Sequence, residues 1–552
     1  MNQELLAELT IDFKGDLDYS PITLKTYSRD ASLFEIKPQL VAYPKDTADI
    51  QTLVKFVNKH KAEYPELSLT ARAGGTDMSG GAINHSIIVD LSRYLNKVLT
   101  VTDDTAIVQA GTYYRHLEKE ALKRKRLMPT YPASRELCSV GGMVANNSGG
   151  EKTIKYGKTE NQLKALKLVL SDGNLMTITP LTLTELEVKK RLPNLEGKIY
   201  TELWQLIINN NEAIIAAKPD VPKNSAGYYL WNVYDKNAGT FDLCRLIVGS
   251  QGTLGLVTEI TFKLWPVEPY ANMLVVFLPD LKQLSQLINE ILPFKPDSLE
   301  SYDDYSLKLA IKFFFDFFKQ MGLWSALKLG ISFIPEVWQI ITVGKLPKLI
   351  LMVEFTGQSE AEIAAILKQV ESKITHFKYK TRITKNHDES EKYWRIRRES
   401  FNLLRRHVRG RRTAPFIDDI VVKPHCLPEF LPRLQKLIDE YKLIYTIAGH
   451  PGDGNFHIIP LMDLKNIYSV DIILELSKKV YDLVKEYQGS ITAEHNDGII
   501  RTPYLAQQFG DQIITLFQQT KNIFDPQNIF NPGKKVGGTF DDIRKYLIKS
   551  NS

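Results

Sequence analysis

Cysteine is scarce: Cys138, Cys244 and Cys426 stand far apart and form no C-x-x-C pair. This excludes a disulfide framework and an iron–sulfur cluster held by this chain, and it fits a reducing compartment. Charge of one sign is also lacking. Against 70 Lys+Arg stand 64 Asp+Glu, a net +6, too mild an excess to leave a nucleic-acid footprint. Long uninterrupted apolar runs are missing as well. Between 311 and 355 the chain is rich in Phe, Trp, Ile and Leu. Lys319, Lys328, Pro335, Glu336, Lys345 and Lys348 nevertheless interrupt every window that approaches the ~18 apolar residues a membrane span needs. The stretch reads as an aromatic insertion, packed in a core or subunit interface or lying on a membrane face. No fixed-period repeat or low-complexity tract marks a solenoid or a disordered chain. The opening residues MNQELLAELTIDFKGD have neither the basic start and apolar run of a secretory signal nor the Arg/Ser-rich character of a transit peptide. A cytoplasmic location is expected.

What is present is an ordinary globular composition, 43% hydrophobic and 24% charged, spread over 552 residues, too many for one core. Strand-like LSLTARAGG, SIIVDLS and AIVQAG alternate with helix-like DIQTLVKFVNKHKAEY and YRHLEKEALKRKR, so the first half reads as α/β or α+β. The character changes after KLWPVEP, which places a boundary near Pro266. Further on, LPEFLPRLQKLIDEYK predicts an amphipathic helix leading into a strand, LIYTIAGH.

Glycine gathers in three places: ARAGGTDMSGG at 71–81, PASRELCSVGGMVANNSGG at 132–150 and GSQGTLGLVTEITFKL at 249–264. In the first, glycines let consecutive N–H groups converge on an anion. It is no G-x-G-x-x-G fingerprint, because Thr76 occupies the second glycine position, and no phosphate loop of the G-K-[ST] type follows Gly150. A plain connection between strands would look similar. GHPGDGNFH at 449–457 sets His450 and His457 on either side of a Pro-Gly-Asp-Gly break that can fold them toward each other. Alone, such a pair also suits hydrogen-bonded core histidines.

These segments, with KNSAGYYL (223–230), AEHNDG (493–498) and FDPQNIFNPGK, occur in an order that closely resembles the FAD-linked dehydrogenases of D-2-hydroxy acids. That family holds D-lactate and D-2-hydroxyglutarate dehydrogenases and the flavin subunit of glycolate oxidase. The resemblance implies an α+β protein: a two-subdomain FAD-binding domain of the vanillyl-alcohol-oxidase and p-cresol-methylhydroxylase type, plus an α+β substrate cap. It places an N-terminal segment at 1–35, the FAD domain at 36–268, the cap at 269–470 and a C-terminal segment at 471–552 that packs back on the FAD domain.

By the same resemblance Arg72, Ala73, Gly74, Gly75, Thr76, Asp77, Met78, Ser79 and Gly80 wrap the pyrophosphate of a non-covalent FAD. Pro132, Ser134, Ser139, Gly142 and Asn146 line its adenine and ribityl side; Ile247, Gly252, Val257 and Asn531 complete the cofactor set. Gln251 stands where the family usually has Glu. His450, His457 and Glu494 match ligands of a divalent metal, Zn or Mn, with one position left open. A cation on the substrate hydroxyl lowers its pKa, so that His495 can act as general base while hydride passes from C2 to flavin N5. The family's Trp-x-x-Arg pattern picks Arg397 for the substrate carboxylate, although Arg398 follows at once where relatives carry Glu; Asn455 is expected to hydrogen-bond substrate.

The expectation is therefore oxidation of a D-2-hydroxy acid, D-lactate or a close analogue, to the 2-oxo acid. Electrons would leave to a quinone, cytochrome, electron-transfer flavoprotein or iron–sulfur subunit. A homodimer is expected, with no nucleic-acid partner and with peripheral contact to the inner face of the membrane through 311–355. The alternatives are a glycolate-oxidase-type flavin subunit that works only in a complex, a D-2-hydroxyglutarate dehydrogenase, and a non-redox ether-lipid synthase on the same fold.

Overall fold

A computed structural model describes residues 3–304, 347–386, 389–398 and 410–549. Most of the aromatic insertion, 311–346, lies outside the described residues. The chain divides into two compact units, one of residues 1–150, 157–267 and 490–548, the other of 151–156, 268–489 and 549–552.

In the first unit, helix Thr47–His60 shows how local sequence builds an element. Asp46 accepts from the Asp49 N–H as N-cap, and Ile50, Leu53, Val54 and Val57 recur at helical spacing to bury one face. Its sheet runs Asp16–Asp18, Leu40–Tyr43, Ile87–Asp90, Leu69–Arg72, and the last three strands are parallel. Parallel strands are covered on both faces, and Ile87–Asp90 is buried throughout. A second, antiparallel sheet runs Val98–Val101, Thr105–Gln109, Leu256–Lys263, Leu163–Val169, Leu175–Ile178. Leu256–Lys263 alternates buried and half-buried residues along its length, the period-two pattern of such a strand. One hydrophobic core joins both sheets to helix Asp511–Phe524.

In the second unit, a sheet runs Lys380–Ile383, Tyr270–Leu278, Leu349–Gly357, Ser298–Asp303, Ile444–His450, Asn455–Met462, Arg412–Thr413, with Ile420–Val421 also paired to Asn455–Met462. One face packs on Tyr393, Trp394 and Ile396. Helices Leu284–Ile291, Glu360–Ile374, Leu427–Glu440 and Ser469–Glu486 each present a stripe of buried apolar residues. The predicted amphipathic helix and the strand after it are Leu427–Glu440 and Ile444–His450.

Two expected segments are divided differently by the contacts of the fold. Residues 1–35 are no separate segment, because Leu5, Leu9 and Phe13 sit in the first unit's core. The later boundary falls after Gly489 instead of 470: helix Ser469–Glu486 packs against Leu427–Glu440 and so belongs with the second unit. The apolar run at the end of the 311–355 stretch is a sheet strand, Leu349–Gly357, paired on both edges. No helix among the described residues is long and apolar enough to cross a membrane.

Candidate functional site

In the first unit the glycine loop leaves strand Leu69–Arg72 through residues that need the left-handed region, Gly75 at φ +64° and Gly80 at φ +85°. Asp77 organises it. Its carboxylate accepts from the N–H groups of Ser79 (3.0 Å) and Gly81 (2.7 Å) and from Asn146 Nδ2 (2.8 Å). With those bonds made, the half-buried N–H groups of Gly74 to Met78 meet no protein acceptor among the described residues. Such a row of convergent donors suits a pyrophosphate.

The other two glycine clusters are tied to this loop. Gln251 Nε2 donates to Ser79 Oγ (3.0 Å), and its Oε1 accepts from Gly498 N (2.8 Å). Asn531 Nδ2 donates to the carbonyls of Gly81 (2.8 Å) and Gln251 (2.7 Å), while its Oδ1 accepts from Thr70 Oγ1 (3.1 Å). Asn146 and Asn531 thus brace the loops with their side chains. At the start of helix Val140–Asn146, Ser139 does not cap, and among the described residues its buried Oγ has no hydrogen-bond partner and a Cβ on Gly142 would meet nothing within 4 Å. Donors without partners beside open space fit FAD.

Some residues named from sequence turn elsewhere. The Arg72 guanidinium donates to the carbonyls of Tyr27 (3.4 Å) and Arg29 (2.8 Å) and lies over the Tyr27 ring, so it pins the preceding segment. Ile247 is buried in the core, and Ser134 shapes a turn through its carbonyl, which accepts from Leu137 and Cys138. Pro132 opens that turn, its carbonyl accepting from Arg135; Val257 is half-buried on Leu256–Lys263, and at Gly252 (φ +67°) a Cβ would come no closer than 3.7 Å to Ala71. Burial holds the Cys138 thiol up at about 12, which leaves it inert as a nucleophile. Burial, with the nearby Asp77 charge, pushes the Asp30 carboxyl up to about 7. Glu494 is buried with Lys223 Nζ 3.6 Å from its Oε2, and His495 is half-buried.

The second unit carries the histidine pair on a hairpin. Register sets Ala448 opposite His457 and His450 opposite Asn455, so all four share one face of the sheet. The turn at Pro451–Asp453 closes through Gly454 at φ +70°, and the two imidazoles stand 5.3 Å apart at 84°. Each ring is held at Nδ1. His457 Nδ1 meets the Asp418 carbonyl at 3.1 Å, and His450 Nδ1 hydrogen-bonds to Glu300. A carbonyl or carboxylate only accepts, so Nδ1 carries a proton; in the neutral ring this leaves the lone pair on Nε2, the tautomer a metal ligand needs. Asn455 uses its Nδ2 on Asp419 Oδ1 and the Ile420 carbonyl, both 3.2 Å, and its buried Oδ1 has no hydrogen-bond partner among the described residues. What remains for a substrate there is an acceptor, suited to a hydroxyl.

Of the two arginines that sequence left open, Arg398 is committed elsewhere: its Nε and one Nη donate to both oxygens of Glu151 at 2.7 and 2.8 Å, and it stacks on Trp394. Arg397 is the buried one, with Nε 3.3 Å from Glu300 Oε2. Glu300 was missed by sequence reasoning. Its one local signal is a charge inside the otherwise buried strand Ser298–Asp303. Asp418 and Asp419, both fully buried, were missed in the same way.

Comparison with known proteins agrees with both units. Residues 38–179 match the family "FAD binding domain", and residues 268–535 match "FAD linked oxidases, C-terminal domain". A D-2-hydroxyglutarate dehydrogenase of Pseudomonas putida is 29% identical over 95% of this chain and 50% of its own. The chain likewise spans half the length of three further D-2-hydroxyglutarate dehydrogenases. A D-lactate dehydrogenase of Archaeoglobus fulgidus is 26% identical over 92% of this chain and 96% of its own. Among solved structures, p-cresol methylhydroxylase shares the fold at TM-score 0.66 and 14% identity, over 98% of each chain.

Proposed function

We propose that this chain, which matches the FAD-binding domain over 38–179 and the C-terminal domain of FAD-linked oxidases over 268–535, oxidises a D-2-hydroxy acid of the D-lactate type to the 2-oxo acid with the help of a divalent metal. The observation that carries this reading is the cluster in the second unit: two imidazoles with Nδ1 on acceptors, a buried arginine and a buried amide oxygen. Bound FAD supplies the two-electron acceptor, and a bound Zn²⁺ or Mn²⁺ supplies the Lewis acid that makes the substrate hydroxyl acidic.

The residues divide the remaining work. His450 and His457 present Nε2 as nitrogen ligands, and the sequence resemblance adds Glu494 as an oxygen ligand. Arg397 pairs with the substrate carboxylate through its planar fork. Asn455 Oδ1 accepts a hydrogen bond from substrate and limits how the acid can turn. His495 takes up the hydroxyl proton, a task matched to an imidazole near neutral pH. The electrons pass on to a quinone, a cytochrome or a protein acceptor. The second reading, D-2-hydroxyglutarate as substrate, is favoured by the name of the Pseudomonas relative.

The test is anaerobic mixing of the FAD-loaded chain with the D- and L-enantiomers of lactate, 2-hydroxyglutarate and malate and with glycolate. Flavin bleaching is followed before and after chelation. Bleaching by a D-acid that chelation abolishes and metal restores is expected. If no acid bleaches the flavin with metal present, the proposal fails.

A further inference from the structure

Glu300 lies at the centre of the second unit's cluster, and the local sequence points to it only as a charge within a buried strand. Strand Ser298–Asp303 pairs with Ile444–His450 so that Ser301 faces Gly449 and Tyr302 faces Ala448. One step further along this register brings Glu300 beside His450, on the face where His450 meets Asn455 across the hairpin. The side chain is buried, and its two oxygens serve different partners: Oε1 hydrogen-bonds to His450 Nδ1, and Oε2 lies 3.3 Å from Arg397 Nε. One carboxylate therefore touches both a proposed metal ligand and the proposed carboxylate-binding arginine.

Resting on the function proposed above, we propose that Glu300 is a positioning residue that couples metal binding to recognition of the substrate carboxylate. Its contact with Nδ1 fixes the His450 tautomer, so Nε2 faces the metal as a base. Its second oxygen lies 3.3 Å from the Arg397 Nε, an ion-pair contact that sets the side from which the guanidinium approaches the cluster. Both partners require an acceptor, and a carboxylate offers acceptors on both sides. An amide of the same size does not. In Glu300→Gln one side must present an NH₂ group, either to Arg397, which repels it, or to His450 Nδ1, which selects the wrong tautomer.

The experiment uses the full FAD-loaded chain, stripped of metal and titrated with Zn²⁺ or Mn²⁺ against a competing chelator. Metal Kd is measured beside the KM and kcat for the D-acid that bleaches the wild type. For Glu300→Gln, a metal Kd ~10–100-fold weaker is expected, with KM raised more than kcat is lowered and the flavin spectrum unchanged. Glu300→Asp, which keeps two acceptors, should recover part of the metal affinity.

Arg397→Gln supplies a readout that does not depend on how well Glu300 variants fold. Arg397 lies against Glu300, so its removal should shift metal Kd several-fold through that carboxylate. Metal Kd and KM within about two-fold of wild type in Glu300→Gln, or no shift of metal Kd in Arg397→Gln, would overturn the coupling. A wild type that binds metal and turns over while the variants match it refutes the role of Glu300 alone. A wild type that neither binds metal nor turns over refutes the underlying function together with it.

Discussion

The Trp394 indole donates from Nε1 to Glu354 Oε1 at 2.8 Å, and this bond anchors the segment that carries Arg397 to the sheet. Glu354 sits opposite Ser298, two residues from Glu300 along the neighbouring strand, and the face they share is the one on which Trp394 packs. The arginine's position is therefore set by an aromatic residue three places earlier and by a buried carboxyl.

Glu354 gives a pH prediction. Burial raises its pKa above the ordinary carboxylate value. The folded state then holds a proton that the unfolded chain has released, so this group's contribution is full below the unfolded pKa and declines as pH rises toward the folded one. Glu354→Gln keeps an acceptor for Trp394 and removes the titration. As pH rises above the ordinary carboxylate range the thermal midpoint of the wild type should fall relative to that of the variant, each unit of pKa difference being worth ~1.4 kcal/mol. Parallel pH profiles for the two proteins would refute this.

Asp77 gives a binding prediction. Its carboxylate orders the glycine loop that the resemblance assigns to the FAD pyrophosphate. Asp77→Ala removes the charged acceptor of four donors, the Ser79 N–H and hydroxyl, the Gly81 N–H and the Asn146 amide, and should weaken FAD binding by ~10–100-fold, with a smaller effect on the apo-protein's thermal midpoint. Fluorescence titration of the apo-protein with FAD measures it; unaltered affinity would mean that the loop holds its shape without Asp77.

The two arginines should separate. Arg397→Lys loses the bidentate fork and should raise KM for the hydroxy acid at least ten-fold, at little cost in stability. Arg398→Ala leaves Glu151 buried without its partner and should lower stability by about 1–3 kcal/mol while KM stays near that of the wild type. Steady-state kinetics beside chemical denaturation distinguishes them, and interchanged effects would reverse the assignment.

Gly454 tests the hairpin. A Cβ there would stand 1.8 Å from the Val422 carbonyl oxygen, at a φ of +70°. Gly454→Ala should cost about 2–4 kcal/mol and, by shifting the turn, weaken metal binding. A variant as stable as the wild type would show that the turn is not fixed by this contact.

What the sequence by itself determined is local in origin. Helix Thr47–His60 is written in its cap and apolar spacing, strand Leu256–Lys263 in its alternation, and the hairpin of His450 and His457 in the Pro-Gly-Asp-Gly break between them. The glycine clusters, too, are legible because a left-handed backbone favours glycine at Gly75 and Gly80. Tertiary structure decided the rest. Glu300 reaches His450, and Arg398 reaches Glu151, only through pairings between strands and segments far apart in the chain. A carboxylate's meaning depends on which donors surround it once buried, and no spacing in SLESYD or GGEKT states that. Which carboxylate each of Arg397 and Arg398 meets, Glu300 or Glu151, was set by the fold; Asn146, Gln251 and Asn531, read as cofactor loops, became the braces between them.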